Sequence, residues 1–130
     1  MRRVGHLRRP EPLFYWRPRA GVNFGDYLSR VVVAAMLKRR NLHFRRWRRQ
    51  NGKLLAIGSV LHYAREADVI WGSGFNGKIP ESELKFDWLE VRAVRGKLTR
   101  DVLSRRGIEV PEIYGDPALL LPHILDERFP

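Results

Sequence analysis

Apolar residues along this chain fall into short runs that Gly, Pro, Ser and charged residues separate, a pattern typical of buried strands. The runs predict strands at residues 13–16, 53–59, 68–74, 90–94 and 112–114. Several of these runs end at a glycine turn, such as Gly58-Ser59 and Gly72-Ser73-Gly74. The pattern therefore predicts a sheet of short strands with turns at their ends.

Helical periodicity fills the gaps between some of these runs. Apolar residues recur every three or four positions at Tyr27, Leu28, Val31, Val32, Ala35 and Met36, which predicts a helix from near Asp26 to Arg39 or Arg40. A short helix is possible at residues 60–67, and a further helix is predicted at 97–106, closed by Gly107. Strands that alternate with helices predict an α/β fold with a mainly parallel sheet.

Composition narrows the class of protein. With 130 residues, of which 44% are hydrophobic, the chain is one domain by size and can bury a core. No apolar run approaches the roughly 18 residues that span a bilayer, and the first ten residues lack the apolar centre of a signal peptide, so we expect a cytoplasmic protein. The chain has no cysteine, and the spacing of its four histidines is not that of a metal site.

The net charge of +11 raises the question of an anionic partner. Basic residues concentrate at 1–10 and 38–53, and in the second segment Phe44 and Trp47 lie among arginines. Such a segment can bind single-stranded nucleic acid or anionic lipid head groups. A solvated helix end and loop gives the same pattern, and we favour that explanation because no nucleic-acid motif accompanies the charge. Association with a membrane surface stays open.

Glycines and polar residues follow several predicted strands, at Gly58-Ser59, Gly72-Ser73-Gly74, Arg95-Gly96 and Gly115-Asp116. In parallel sheets, ligands collect at the carboxyl ends of the strands, where backbone N–H groups can bind an anion. Each glycine taken alone indicates an ordinary turn. Their repetition after successive strands indicates a shared binding cleft.

Five segments resemble, in the same order, the N-terminal half of the polysaccharide pyruvyl transferase family, in particular its succinoglycan-type ketalase members. The segments are VNFGDYL, LLAIGSVLHYA, DVIWGSGF, VRAVRGKLTRDVL and YGDPALLLP. They cover about residues 12–122, and their common order is more specific than any one of them.

The resemblance implies an activity and an architecture. Family members transfer the enolpyruvyl unit of phosphoenolpyruvate to two hydroxyls of a sugar, which forms a cyclic pyruvate ketal and releases phosphate, in exopolysaccharide biosynthesis. Their architecture is similar to the two-domain glycosyltransferase-B type. We therefore expect a Rossmann-like three-layer α/β domain that binds phosphoenolpyruvate as donor substrate and a saccharide as acceptor, without a further cofactor or metal.

Two residues are the candidate catalytic groups. Phosphoenolpyruvate carries a carboxylate and a phosphate, and the planar guanidinium of Arg95 can bind either with two hydrogen bonds. Asp26 can accept the proton of the attacking sugar hydroxyl. The resemblance implies such roles, since both residues match the family's motifs. The alternatives are a surface salt bridge for Arg95 and a helix cap for Asp26.

The other candidate residues are expected to bind substrate or to shape the cleft. Asn23 and Gly25 belong to the loop before Asp26, Thr99 and Arg100 to the first turn of a predicted helix, and Asp116 to a Gly-Asp-Pro turn that can equally be structural. Backbone or hydroxyl donors are expected from Gly72, Ser73, Gly74 and Gly96. His62 is predicted to be structural.

Family members are much longer than this chain, and their second half supplies a histidine and basic residues of the donor site. We therefore expect a basic segment at 1–11, the N-terminal domain at 12–122, and a tail at 123–130 where the second domain is missing. The chain would then be a fragment, or pair with a separate partner chain, with little activity alone because its cleft is open to water. Its exposed face could also support a homo-oligomer.

Two other classes of function stay open. One is a sugar transferase of similar architecture that uses a nucleotide sugar. The other is a basic nucleic-acid or membrane-surface module that depends on Arg45, Arg46, Arg48 and Arg49.

Overall fold

The computed structural model describes residues 12–44 and 52–125. The predicted basic segment 1–11, the centre of the basic run 38–53 and the last part of the predicted tail lie outside the described residues. The strands are β1 (Leu13–Phe14), β2 (Leu54–Leu55), β3 (Val69–Trp71) and β4 (Glu90–Ala93), and the helices are α1 (Phe24–Arg39), α2 (Lys97–Arg105) and α3 (Leu121–Leu125). Short 3-10 turns lie at Leu61–Tyr63, Glu81–Glu83 and Pro117–Leu120.

The four strands form one parallel sheet in the order β1-β2-β3-β4. Leu54 pairs with Leu13 on one side and with Val69 on the other. An isolated parallel bridge between Val94 and Tyr114 extends the sheet beyond β4. All four strands therefore end at the same edge, and the prediction of an α/β fold with a parallel sheet is confirmed.

Helices cover both faces of this sheet. Successive residues of a strand point to opposite faces. On β1, Leu13 packs in a cluster with Val33 of α1, whereas the next residue, Phe14, packs against a cluster that contains Leu103 of α2. The two longer helices thus bury their apolar sides against opposite faces of the sheet.

Helix α1 begins two residues earlier than predicted. Its N-cap is Asn23, whose side-chain oxygen accepts a hydrogen bond of 3.2 Å from the backbone N–H of Asp26. The cap role considered for Asp26 is therefore filled by Asn23, and the Asp26 carboxylate does not serve as the cap. The helix ends at Arg39, within the predicted range, with Lys38 and Arg39 in its last turn, where cations interact favourably with the helix dipole.

The strands are shorter than the apolar runs that predict them, for an identifiable reason. After Leu55, the backbone N–H of Ile57 donates to Ser29 Oγ of α1 (3.0 Å), and this hydroxyl donates back to Ile57 O (3.3 Å). A helix side chain therefore takes the place of a neighbouring strand. Trp16, predicted to lie in a buried strand, follows the end of β1 and is 39% exposed.

The helix considered at residues 60–67 is a single 3-10 turn, and the predicted strand at 112–114 is only the bridge at Tyr114. Buried Asp68 explains the first difference, because its carboxylate accepts the backbone N–H groups of Arg65 (2.8 Å) and Lys53 (2.9 Å). These bonds hold residue 65 away from helical pairing and anchor the start of β3.

At the other end of the described region, Ile124 of α3 packs with Val32 of α1 and with Ile57. The packed domain therefore continues past residue 122. None of the described helices is both long and apolar enough to cross a membrane.

Candidate active site

A groove opens at the carboxyl ends of β1 and β2. The chain after β1 leads to α1 on one face of the sheet, whereas the chain after β2 leads to Leu61, which is buried with α2 on the opposite face. Adjacent parallel strands whose connections leave to opposite faces create a crevice between them. The groove measures about 300 Å³ and is lined by Trp16, Asp26, Ser59, Val60, His62 and Tyr63.

Asp26 reaches this groove from the first turn of α1. The paired hydrogen bonds between Ser29 and Ile57 fix that turn against the end of β2. Asp26 Oδ1 then lies directly against Gly58, since a methyl group built on Gly58 would be only 2.7 Å from it. Burial raises the pKa of Asp26 above the ordinary value of 3.8, because loss of water disfavours the charged carboxylate.

Arg95 approaches the same turn from the end of β4. Its Nη1 donates to Ser59 Oγ (2.7 Å), and its Nη2 lies 3.5 Å from Phe75 O. The guanidinium lies across Gly74, where an added methyl group would be 2.5 Å from Nε. Within the described residues no carboxylate forms an ion pair with Arg95. The surface salt bridge considered for this residue is therefore not formed there, and no described acid neutralises its positive charge.

The two candidate catalytic residues thus converge on consecutive residues of one turn. Asp26 contacts Gly58, and Arg95 is bonded to Ser59. Gly58 has φ +103°, a conformation that side chains rarely adopt, and the missing side chain leaves space for the carboxylate. This arrangement brings a partly desolvated carboxylate to Gly58 and a guanidinium without a described acidic partner to Ser59.

The Gly-Ser-Gly turn after β3 has a structural role. Ser73 is buried and its hydroxyl donates to Gly58 O (3.0 Å), and the N–H of Gly74 donates to the same oxygen (3.1 Å). The N–H of Gly72 donates to Ala93 O (2.9 Å). The donors predicted at these three residues are thus engaged by backbone carbonyls.

Residues of α2 are also engaged within the domain. Gly96 is the N-cap of this helix. Thr99 is buried, and its Oγ1 accepts the backbone N–H of Phe75 (3.2 Å). Arg100 donates from Nε to Val110 O (3.3 Å) and has Glu112 3.8 Å from its Nη2. These contacts join α2 to the segments around it.

The last candidates are caps and turns. Asp116 is the N-cap of the 3-10 turn Pro117–Leu120, and its Oδ1 accepts the N–H of Ala118 (2.9 Å). Asn23 caps α1, and a methyl group built on Gly25, two residues later, would be 3.4 Å from Asn23 Oδ1. These three residues support the strand-end edge without lining the groove.

Sequence reasoning missed five residues that form the groove or position it, among them Val60, which lies in its lining. Trp16, His62 and Tyr63 line the groove, although the sequence predicts Trp16 inside a strand and a structural role for His62. Ser29 positions Asp26, and the available signal was a small polar residue within the apolar face of α1. The described residues contain no cluster of three or more His, Cys, Asp or Glu that could hold a metal ion.

The arrangement brings a candidate base and a cation to consecutive residues of one turn. A carboxylate with a raised pKa can accept a proton from a hydroxyl, and a guanidinium that no described acid pairs with can bind phosphate or carboxylate. Comparisons with family models, with curated proteins and with solved structures found no match to this chain.

Proposed function

We propose that this chain is the N-terminal, donor-binding domain of a polysaccharide pyruvyl transferase, with a Rossmann-like three-layer fold similar to that of the glycosyltransferase-B type. The observation that supports it is the convergence of Asp26 and Arg95, the two residues that match the family's motifs, on the turn formed by Gly58 and Ser59. The resemblance names the reaction, and the geometry provides groups suited to it.

In this proposal Arg95 binds the phosphate or carboxylate of phosphoenolpyruvate, and Asp26 accepts the proton of a sugar hydroxyl. The hydroxyl oxygen bonds to C2 of phosphoenolpyruvate while C3 takes up a proton and becomes a methyl group. A second hydroxyl of the same sugar then replaces phosphate at C2. One phosphoenolpyruvate and one diol thus give one ketal and one inorganic phosphate.

The proposal includes partners and a location. A second domain, or a partner chain, completes the cation set around the donor and closes the groove to water. Because phosphoenolpyruvate is a cytoplasmic metabolite, we place the reaction in the cytoplasm, with the basic segments available for contact with the anionic membrane surface where exopolysaccharides are assembled. A homo-oligomer is compatible with the same proposal.

Donor binding tests the proposal directly. Calorimetric titration of the 130-residue chain with phosphoenolpyruvate is expected to give a dissociation constant on the order of 1 mM, which is about 4 kcal/mol of binding free energy. Arg95→Ala should weaken binding by at least about 10-fold. The matched control is Arg92→Ala, since Arg92 lies on β4, three residues before Arg95, is 67% exposed and is paired with Glu90. Equal weakening by both variants, or tighter binding of UDP-glucose than of phosphoenolpyruvate, contradicts the proposal.

The rate of pyruvyl transfer tests the role of Asp26 as the proton acceptor. In the chain completed by a second domain, Asp26→Asn should lower kcat for ketal formation by about 100-fold or more, since the amide cannot accept the proton. Asp101→Asn is the control, because Asp101 is an exposed residue on α2, outside the groove. An Asp26→Asn variant with unchanged kcat removes Asp26 from the mechanism.

A further inference from the structure

The groove has an aromatic wall that the donor chemistry does not use. Trp16 and Tyr63 line it and keep 39% and 37% of their surface exposed. The Tyr63 ring is held by Phe14, at a centroid distance of 5.1 Å, and by His62, at 4.1 Å. A fixed, partly exposed aromatic ring is suited to a ligand that has an apolar face of its own.

His62 adds a polar group without a partner. Its Nδ1 is buried and forms no hydrogen bond with the described residues. A buried polar atom without a partner costs free energy that a hydrogen bond would recover. His62 also lines the groove, so its imidazole lies beside the space in which a ligand hydroxyl would sit.

The charge of the groove decides between ligand classes. Among the described residues, its lining contains the Asp26 carboxylate and neither lysine nor arginine. An anionic ligand would be repelled by Asp26, whereas a neutral polyol can donate its hydroxyls to the carboxylate. The cation of the site, Arg95, is bonded to the hydroxyl of Ser59. Ser59 therefore contacts Arg95 and also borders the groove, whose aromatic half is formed by Trp16 and Tyr63.

We propose that the aromatic half is the acceptor subsite: one neutral pyranose ring packs its C–H face on Trp16 and Tyr63 and donates hydroxyls to Asp26 and His62. This inference rests on the proposed function and adds the residues that recognise the saccharide. It also explains how the hydroxyl to be deprotonated reaches Asp26, since the ring that carries it is bound beside that carboxylate.

Nuclear magnetic resonance of the ¹⁵N-labelled chain tests the subsite without requiring turnover. The probes are methyl β-D-galactopyranoside and methyl α-D-glucopyranoside. At least one of them is expected to shift the indole N–H signal of Trp16 with a dissociation constant on the order of 10 mM. The indole of Trp88, which is 55% exposed and outside the groove, should not move.

Matched variants test whether the aromatic wall, formed by Trp16 and Tyr63, binds the saccharide. Tyr63→Ala should weaken saccharide binding by at least about 10-fold. Tyr114→Ala is its control, because Tyr114 has nearly the same exposure, 40%, and lies outside the groove. Should Tyr63→Ala fail to fold because its ring packs on Phe14, Trp16→Ala gives the same test from the exposed side of the groove.

The outcomes separate this inference from the proposed function. If phosphoenolpyruvate binds in an Arg95-dependent way but no saccharide shifts Trp16, the acceptor subsite is overturned and the donor role stands. If saccharide shifts Trp16 and phosphoenolpyruvate does not bind, the subsite is supported and the pyruvyl transferase is overturned. If UMP shifts Trp16 at lower concentration than either saccharide, the groove takes a nucleotide base and the subsite is overturned.

Discussion

In the turn after β3, the Ser73 hydroxyl and the N–H groups of Gly72 and Gly74 donate to backbone carbonyls. In the turn after β2, Gly58 and Ser59 meet Asp26 and Arg95, which carry charge that no described ion partner neutralises. Both regions have the glycines and polar residues that indicate a cleft. The difference teaches that glycine-rich strand ends that are alike in sequence can differ in whether their polar and charged groups are satisfied within the domain.

The largest effect is expected in the turn after β3, the β3 side, where a substitution should lower the free energy of unfolding. Gly72 has φ +88°, and an added methyl group would overlap Pro117 and Gly115 O. Gly72→Ala should lower the free energy of unfolding by about 3 kcal/mol, measured by urea denaturation. Gly96→Ala is the control, since a methyl group there meets no described atom. A loss below about 0.5 kcal/mol for Gly72→Ala would remove the structural role of this turn.

A smaller loss of stability is expected at Thr99. Thr99→Val keeps the shape but leaves the Phe75 N–H without its acceptor, which should cost about 1.5 kcal/mol. Thr99→Ser keeps the hydroxyl and should retain most of the stability. Equal unfolding free energies for the Val and Ser variants would mean that the hydroxyl does not stabilise the fold, and would reopen Thr99 as a ligand contact.

On the groove side, stability should change little and binding should change more. Ser59→Ala removes the hydroxyl that orients the Arg95 guanidinium. We expect the affinity for phosphoenolpyruvate to fall about 5-fold, or about 1 kcal/mol, with a loss in unfolding free energy smaller than that. If unfolding free energy falls more than binding free energy, Ser59 belongs with the structural residues of the β3 side.

The smallest effect is the pH dependence of stability from Asp26. Its pKa is raised in the folded state by burial. Between pH 3.8 and the folded pKa, the folded chain binds more protons than the unfolded chain, so the free energy of unfolding falls as pH rises. Above the folded pKa this cost of Asp26 is complete and no longer changes with pH. Urea denaturation at several pH values should show this fall in the wild type and a flatter profile for Asp26→Asn. A steeper fall in the variant than in the wild type would contradict the raised pKa of Asp26 in the folded state.

The sequence predicted the parallel sheet, the positions of its four strands and both longer helices, because periodicity and turn residues are local signals. It did not predict α3, and the segments at 60–67 and 112–114 are only a 3-10 turn and a bridge. It did not predict where strands stop. The end of β2 depends on Ser29, a residue distant in sequence that replaces a strand partner at Ile57. The burial predicted for Trp16 is wrong for a similar reason, since its apolar character is local, whereas the end of strand pairing at Phe14 is a tertiary property.

For the site, sequence motifs indicated Asp26 and Arg95 but not how they meet. Their meeting depends on the close approach of Asp26 to Gly58 and on the bond from Arg95 to Ser59, two tertiary contacts. The hydrogen bonds of Thr99 and Arg100 to Phe75 and Val110 were not predictable either. In sequence, a polar residue in the first turn of a helix is the same whether its side chain binds an anion or a neighbouring segment.

Gly58 is the residue on which these contacts depend. It borders Asp26, its carbonyl accepts from Ser73 and Gly74, and the next residue holds Arg95. Substitutions at these positions should therefore be strongly epistatic, and double-mutant cycles between them should give coupling energies of about 0.5–3 kcal/mol. To change the specificity of this groove, the residues that contact this turn would have to be redesigned together, since their effects are not independent.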